Sequence, residues 1–343
     1  MYNRPLSGSI KHLTLNSDLL KDNPLGDPPN RTFPVYLPPG YNDDDSRYPV
    51  IYALAGFTGT GANMAGFSVW EENLPEQVDD LIIDKNCPAV IVVMPDCFTR
   101  LGGSQYINSP HTGPYEDYFT EEVIPFVDGE LRTIPERDQR GVLGKSSGGY
   151  GALSLAMKHS DLFTTAACHS GDLYFEYCYL RDFPKAVDTL NKYGGVAGFL
   201  KEFAGAVKKG SLIPTLNIVA MAAAYSPDPK GDASGDSPDI CLPFTIPEGE
   251  LIAEVWQQWL AHDPVRMVEQ GAFAEALRSL KLLYVDAGDR DEFALHLGAR
   301  IFIERLKALN IPYHYEEFTD GHFGINYRYK VSLELMAKAL GKY

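Results

Sequence analysis

Cysteine is scarce in this chain of 343 residues: there are five, an odd number, and no two of them stand in the Cys-x-x-Cys spacing. This count predicts neither a disulfide framework nor a zinc site. We therefore expect a protein without a bound metal. A reducing, cytoplasmic location is the simplest interpretation, and a secreted form whose leader has been removed fits the sequence as well.

Long hydrophobic runs are missing too. The longest runs, such as residues 89–94, have the length of a strand, whereas a membrane-spanning helix needs about 18 apolar residues or more. Residues 1–10 lack the charged and then apolar segments of a secretory signal. We therefore expect no membrane partner.

Basic residues are few relative to acidic ones: 30 Lys and Arg face 46 Asp and Glu, which gives a net charge of −16. Because nucleic acids and anionic membranes are bound through clustered Lys and Arg, this balance argues against both partners. A hydrophobic content of 45% is typical of a globular protein that can bury an active site. A small-molecule substrate is the expected partner, and a homo-oligomer is left open.

Short apolar runs alternate with amphipathic stretches along most of the chain. The predicted strands are residues 9–15, 31–37, 48–55, 89–94, 140–143, 163–170, 281–287 and 313–318. The predicted helices among them include residues 76–85, 115–133, 149–159, 292–309 and 329–340. Strands that alternate with helices indicate βαβ units, so we predict an α/β fold with a mostly parallel central sheet flanked by helices.

One long segment, residues 173–270, interrupts this alternation. It contains helical stretches but no clear buried strand, and it lies between two sheet strands. We interpret it as a mostly helical cap inserted into a core made of residues 1–172 and 271–343. Within the cap, Trp256 lies three residues from Trp259. Core packing is the favoured interpretation of this pair, and a contact of Trp256 with an aromatic substrate is the alternative.

The cap also contains a loop rich in Gly, Pro and Ser at residues 226–239. The loop carries four aspartates: Asp228, Asp232, Asp236 and Asp239. Carboxylates are the ligands that calcium prefers, but the spacing does not match an EF-hand loop. We therefore favour a solvated loop over a cation site.

The motif with the most chemical information is Gly144-Lys145-Ser146-Ser147-Gly148, which matches Gly-x-Ser-x-Gly. It follows a predicted strand and precedes a predicted helix, which is the context of a nucleophile on a sharp turn. Small flanking residues let the turn close, and the helix N-terminus favours negative charge that develops nearby. We predict that Ser146, centred between the glycines, is a nucleophile.

A serine nucleophile needs a base, and the base needs an orienting carboxylate. With this kind of turn, the acid and then the histidine follow the serine along the chain, on loops after later strands. His322 directly follows the last predicted strand, and we predict that it is the base; His169 is a weaker rival. The loop after the preceding strand offers Asp289 and Asp291 as the acid, and local reasoning does not choose between them.

The loop that follows the predicted strand at 48–55 contains Gly56 and Phe57. A tetrahedral intermediate needs two N–H donors where its negative charge develops. We predict that the backbone N–H groups of Phe57 and Ser147 form this oxyanion hole, and that Gly56 lets the backbone approach the substrate. A phosphate-binding loop is disfavoured because no Gly-Lys-Ser/Thr sequence follows Gly61, and no cofactor is expected.

Five stretches resemble the esterase-D-like branch of the α/β-hydrolases, which includes feruloyl esterases, S-formylglutathione hydrolases, enterochelin esterases and mycolyltransferases. They are residues 35–41, 48–56, 103–106, 115–117 and 144–153. The resemblance implies an α/β-hydrolase fold with a Ser-His-Asp site. It places the acid at the third position after Gly288, which is Asp291, and it supports His322 as base and Phe57 as oxyanion donor. Tyr106 and Gly56, within the shared stretches, are candidate substrate contacts.

The chain also departs from this family pattern. Lys145 and Ser147 stand where Leu or Met is common, and Ala55 stands where His is common. Residues 58–60 contain no cysteine, although S-formylglutathione hydrolases carry one shortly after the oxyanion loop. The last difference argues against a glutathione thioester as the substrate.

These residues together predict a serine carboxylic-ester hydrolase that acts through an acyl-enzyme on a small or aromatic-acyl ester. One alternative is an acyltransferase, in which an alcohol replaces water at the same site. Another is a non-catalytic binding protein on the same fold, which fold alone does not exclude. The intact set of Ser146, Asp291 and His322 argues against the second alternative.

Overall fold

The computed structural model describes residues 5–228 and 240–341. Its strands are β1 (Ser9–Asn16), β2 (Asn30–Leu37), β3 (Val50–Leu54), β4 (Ile91–Val93), β5 (Asn108–Ser109), β6 (Gly113–Pro114), β7 (Arg140–Lys145), β8 (Thr165–His169), β9 (Leu282–Gly288) and β10 (His314–Phe318). Its helices are α1 (Gly61–Met64), α2 (Leu74–Ile83), α3 (Tyr115–Asp117), α4 (Ile124–Glu130), α5 (Ser147–Lys158), α6 (Phe175–Cys178), α7 (Phe183–Lys192), α8 (Val196–Gly205), α9 (Ile213–Tyr225), α10 (Ala253–Leu260), α11 (Pro264–Met267), α12 (Gly271–Arg278), α13 (Leu295–Ala308) and α14 (Arg328–Leu340).

Eight strands form the central sheet in the order β1-β2-β4-β3-β7-β8-β9-β10. The pairs β1–β2 and β2–β4 are antiparallel, and all later neighbours are parallel. Strands β3 and β4 are buried along their whole length, as continuous apolar runs in a parallel sheet predict. The prediction of a mostly parallel α/β fold is confirmed.

Helices cover both faces of the sheet. Helices α2 and α14 share a hydrophobic cluster with Ile51 and Val92 on one face. Helices α5 and α13 pack with Val50 and Val142 on the other, because successive side chains of a strand point to opposite faces. Within the described ranges, no helix is both long enough and apolar enough to cross a membrane.

The helix predicted at residues 115–133 is interrupted. Helix α3 passes into a wide π-helical turn, Tyr118–Val123, before α4 begins at Ile124. Pro125 lies in the first turn of α4 and has no N–H to donate to the carbonyl of Glu121. A regular α-helix therefore cannot run through this position.

Helices α6 to α11 occupy the segment predicted to be a cap, and its described residues form no strand of the sheet. Helix α9, which the sequence pattern did not indicate, is buried on nearly all sides. The two ends of the segment are anchored in the main core, because Leu173 and Val265 pack there. The exact boundaries at 173 and 270 stay a prediction. Of the four aspartates of the loop at 226–239, Asp228 lies within the described residues, and Asp232, Asp236 and Asp239 lie outside them.

Candidate active site

Ser146 stands on a sharp turn between β7 and α5. Its backbone has φ 57° and ψ −128°, a region that residues with a side chain rarely occupy. Its N–H donates to the carbonyl of His169, and its carbonyl accepts from the N–H of Tyr150, both at 2.9 Å. Glycine is required at position 148, because a Cβ there would lie 2.1 Å from the carbonyl oxygen of Leu54. The turn therefore holds Ser146 rigidly at the carboxyl edge of the sheet.

The loop after β3 lies directly against this turn. A Cβ on Gly56 would lie 3.0 Å from the carbonyl oxygen of Lys145 and 3.3 Å from the Cβ of Ser146, so a larger residue would push the two segments apart. In the described part of the chain, the backbone N–H groups of Phe57 and Ser147 have no hydrogen-bond acceptor. Two unpaired donors beside a serine are the requirement of an oxyanion hole.

Tyr106 supports this loop from behind. Its side chain is buried, and its hydroxyl donates to the carbonyl of Ala55 at 2.6 Å. Its ring packs against α5 at Gly151, where a Cβ would lie 2.3 Å from the ring. The prediction that Tyr106 contacts substrate is therefore corrected: its hydroxyl is engaged by the backbone, and it does not line the cleft at Ser146.

His322 pairs with Asp291 across the loops that follow β9 and β10. The Nδ1 of His322 lies 2.8 Å from an Asp291 carboxylate oxygen. The other oxygen accepts from the N–H of Phe293 at 2.9 Å and from that of Leu295 at 3.4 Å. Burial opposes the ionisation of Asp291, but these bonds outweigh it and hold its pKa below the ordinary value. Asp291 is thus a carboxylate at neutral pH, and His322 points its other nitrogen away from it.

The alternative acid, Asp289, has different partners. Its carboxylate lies 3.4 Å from the hydroxyl of Thr319 and 3.6 Å from the guanidinium of Arg290. A third acid in the loop, Glu292, accepts from the backbone N–H of His322 at 2.6 Å. Of the two acids that local reasoning left open, the structure places only Asp291 at the ring of His322.

A cleft of about 630 Å³ opens at this edge of the sheet. Gly56, Phe57, Ser146 and His322 all line it, so the structure brings these four predicted residues together. Ser147 lies behind them, along a smaller cavity under the same loop. A cleft of this size suits a small organic ligand.

Trp256 does not take part in this cleft. Its side chain is buried in the aromatic core of the cap, with ring centroids 5.6 Å from Phe183 and 5.7 Å from Trp259. No described residue of the cap lines the cleft at Ser146. The assignment of Trp256 as a substrate contact is therefore corrected: the apolar face of α10 is used for packing within the cap.

A second buried carboxylate, which the sequence pattern did not indicate, lies beside the serine turn. Asp172 accepts from the hydroxyls of Ser147 and Tyr179, each at 3.1 Å. Burial raises the pKa of Asp172, against the opposing effects of His322 and of these two hydrogen bonds. Its position directly after β8, at the same sheet edge as the other site loops, is the signal that could have indicated it.

His169, the rival histidine, has both ring nitrogens engaged. Its Nδ1 lies 2.8 Å from Asp286, and its Nε2 lies 2.8 Å from the hydroxyl of Ser332. All three side chains are buried, and none of them lines the cleft. The structure therefore places His169 under the serine turn and not beside the serine hydroxyl.

A mostly parallel sheet whose loops carry a strained serine, an acid and a histidine in this chain order defines the α/β-hydrolase fold. Solved structures of this kind are similar along almost the whole chain. A ferulic acid esterase has a TM-score of 0.66 at 19% identity and covers 98% of this chain and 100% of its own. An S-formylglutathione hydrolase from Agrobacterium tumefaciens has a TM-score of 0.60 at 19% identity, covering 99% and 98%. At these identities the likeness concerns the fold.

The chain belongs to the family described as "Putative esterase", whose model matches residues 28–336. Esterase Rv1288 of Mycobacterium tuberculosis is 34% identical over 143 residues, which are 40% of this chain and 28% of that protein. An endo-1,4-beta-xylanase/feruloyl esterase of Xylanibacter ruminicola is 29% identical over 161 residues, 46% of this chain and 21% of that protein. The chain thus matches less than a third of the length of either relative.

Proposed function

We propose that this protein is a serine carboxylic-ester hydrolase that acts through an acyl-enzyme on a small or aromatic-acyl ester. The observation that carries the proposal is the strained Ser146 turn, which is flanked by two unpaired amides and shares one cleft with His322, the partner of Asp291. Membership of the esterase family supports an ester as substrate, and the feruloyl esterase among the relatives supports an aromatic acyl group.

In the first half-reaction, the Oγ of Ser146 attacks the ester carbonyl carbon while its proton passes to the Nε2 of His322. The carbonyl oxygen becomes negatively charged and accepts hydrogen bonds from the N–H groups of Phe57 and Ser147. When the carbonyl re-forms, the bond to the alcohol oxygen breaks and His322 gives its proton to that oxygen. The acyl group is then an ester of Ser146.

In the second half-reaction, water takes the place of the alcohol. His322 accepts a proton from water, the hydroxide oxygen attacks the acyl carbon, and the same two amides hold the oxyanion. Collapse of the intermediate releases the acid and returns the proton to Ser146. Asp291 holds Nδ1 of His322 throughout, so that Nε2 stays available for each transfer, and its carboxylate stabilises the charged ring.

The test is a panel of p-nitrophenyl and hydroxycinnamoyl esters, assayed with the wild type and with Ser146→Ala. We expect the variant to lose at least about 10³-fold in kcat, because the nucleophile is gone. Ser154→Ala is the matched control, since this serine lies buried in the same helix and away from the cleft. Activity that survives in Ser146→Ala would contradict the proposal, and assays with an added acceptor alcohol separate hydrolysis from acyl transfer.

A further inference from the structure

Lys145 is a charged residue in the catalytic cleft that the proposed mechanism does not use. It is the last residue of β7 and directly precedes Ser146. It is half-buried and lines the cleft together with Gly56, Ser146 and His322. Because Lys145 and Ser146 line the same cleft, an ester bound at Ser146 can also contact Lys145.

The ammonium group of Lys145 has no partner among the described residues: no acceptor lies within hydrogen-bond or ion-pair distance of Nζ. A neighbouring groove is lined by Lys330, Glu72 and Asp80. Lys330 differs from Lys145 in this respect, because it pairs with Glu72 at 3.1 Å and with Asp80 at 3.2 Å. An ammonium has three N–H donors and no acceptor, and leaving them without acceptors in a partly buried place is unfavourable. Lys145 is therefore available to an acceptor that the ligand brings.

The carboxylates around Lys145 are bound elsewhere. Asp291 accepts from the His322 ring, Glu292 accepts from the His322 backbone, and Glu71 accepts weakly from Asn326 at 3.5 Å. Burial lowers the pKa of Lys145, and these three carboxylates act against that shift without forming a contact with it. The charge of Lys145 is thus not neutralised by a contact within the described chain.

The acidic rim limits which anion can bind. Glu71 and Glu72 line the same cleft, but both are exposed, so water and salt screen their charges more than that of half-buried Lys145. The net charge of −16 further disfavours a polyanion. A ligand with a single carboxylate close to the scissile ester can pair with Lys145, and it is not a polyanion.

We propose that Lys145 is a specificity-determining residue that binds a carboxylate on the acyl part of the substrate, so that the preferred esters are half-esters of dicarboxylic acids. This inference rests on the proposed function, since it concerns the substrate of the same site. The ammonium would donate to the free carboxylate while Ser146 attacks the ester at the other end of the acyl chain.

The test compares mono(4-nitrophenyl) adipate with the ester in which the free carboxylate is replaced by a carboxamide of similar shape. The ratio of their kcat/KM values, corrected for spontaneous hydrolysis, is measured for the wild type and for Lys145→Gln. We expect this ratio to fall at least about tenfold in Lys145→Gln, because a hydrogen bond to a charged group is lost. Lys145→Arg, which keeps the charge, is expected to retain most of the preference.

Lys330→Gln is the matched control, because it removes the same charge from the neighbouring groove, where the lysine is already paired. It is expected to leave the ratio unchanged. If Lys145→Gln fails to fold, as checked by thermal unfolding, Lys145→Met replaces it. An unchanged ratio in the neutral variant that folds would overturn the inference alone, provided that the carboxamide ester is still hydrolysed in a Ser146-dependent way. If neither adipate ester is hydrolysed in that way while an ester of the p-nitrophenyl and hydroxycinnamoyl panel is, the inference fails and the proposed function stands. If no ester of either set is hydrolysed in a Ser146-dependent way, the proposed function fails and the inference fails with it.

Discussion

Two Asp–His pairs in this protein have the same ring-to-carboxylate distance. The Nδ1 of His322 lies 2.8 Å from Asp291, and the Nδ1 of His169 lies 2.8 Å from Asp286. Each pair also has a serine nearby: Ser146 shares the cleft with His322, whereas Ser332 bonds directly to the Nε2 of His169. By hydrogen bonds alone, the set of Ser332, His169 and Asp286 is the more complete one, because both nitrogens of its histidine ring are bonded.

The surroundings separate the two pairs. Asp286 is fully buried and also accepts from Arg328 and Tyr284, both at 2.9 Å. It therefore links β8, β9 and α14 through hydrogen bonds. The Nε2 of His322, in contrast, has no hydrogen-bond partner in the described part of the chain, and His322 lines a cleft. An Asp–His pair can move a proton only if the second nitrogen is free and a substrate can reach it. The comparison teaches that access, and not the Asp–His distance, marks the candidate site.

Among the variants that test this comparison of the two Asp–His pairs, Asp291→Asn has the largest expected effect. An Asn in this place can donate to Nδ1, which leaves a proton on Nε2 where Ser146 needs an acceptor, so we expect kcat to fall by about 10⁴-fold. Steady-state kinetics on the best ester of the panel measure this. Asp289→Asn is the control, since this acid bonds to Thr319 and Arg290 instead, and an equal loss in both variants would refute the assignment of the acid.

The matching change in the buried pair, Asp286→Asn, is expected to affect stability instead of kcat. Removing one partner from a buried ion network costs about 3 kcal/mol in the free energy of unfolding. Urea unfolding at pH 7 measures that loss, and the folded fraction of the variant should keep its kcat within about threefold of the wild type, as for changes away from a site.

This loss should depend on pH in one direction. Burial opposes the ionisation of Asp286, but His169 and Arg328 outweigh it and lower its pKa. Its contribution to stability is therefore present above the pKa of an unfolded Asp, about 3.9, and is lost as the pH falls through the lower folded value. The difference in unfolding free energy between wild type and Asp286→Asn should shrink below about pH 4. A difference that stays constant down to pH 3 would contradict this origin.

The elements that could be predicted from sequence are those whose pattern is local. Strands β3 and β4 are continuous apolar runs, and the Ser146 motif lies between a strand and a helix, so both were recognisable without the structure. The order of serine, acid and histidine then indicated the loops that carry Asp291 and His322. The choice of Asp291 over Asp289 needed the family resemblance, because both lie in one loop and only the fold decides which carboxylate reaches the ring.

The elements that could not be predicted depend on contacts between distant residues. Helix α9 is apolar all round and so has no amphipathic period to indicate it. The position of Asp172 after β8 indicates the sheet edge of the site, but its burial and its bonds to Ser147 and Tyr179 depend on contacts between distant residues. Trp256 has an amphipathic pattern, but the pattern does not say whether its apolar face meets the cap core or a substrate.

The smallest expected effect is that of Ser332→Ala, which asks whether the buried serine reacts at all. Ser332 has none of the features of Ser146: it lies within helix α14, is inaccessible to solvent and bonds to His169 and to the carbonyl of Tyr329. We therefore expect a fluorophosphonate probe to label the wild type and Ser332→Ala once each and at the same rate, and not to label Ser146→Ala. Intact-mass spectrometry measures the number of labels and the labelling rate. The lost hydrogen bond should lower the free energy of unfolding by about 1 kcal/mol. A second label on the wild type, or a loss of labelling in Ser332→Ala, would mean that Ser332 reacts with the probe although it is buried.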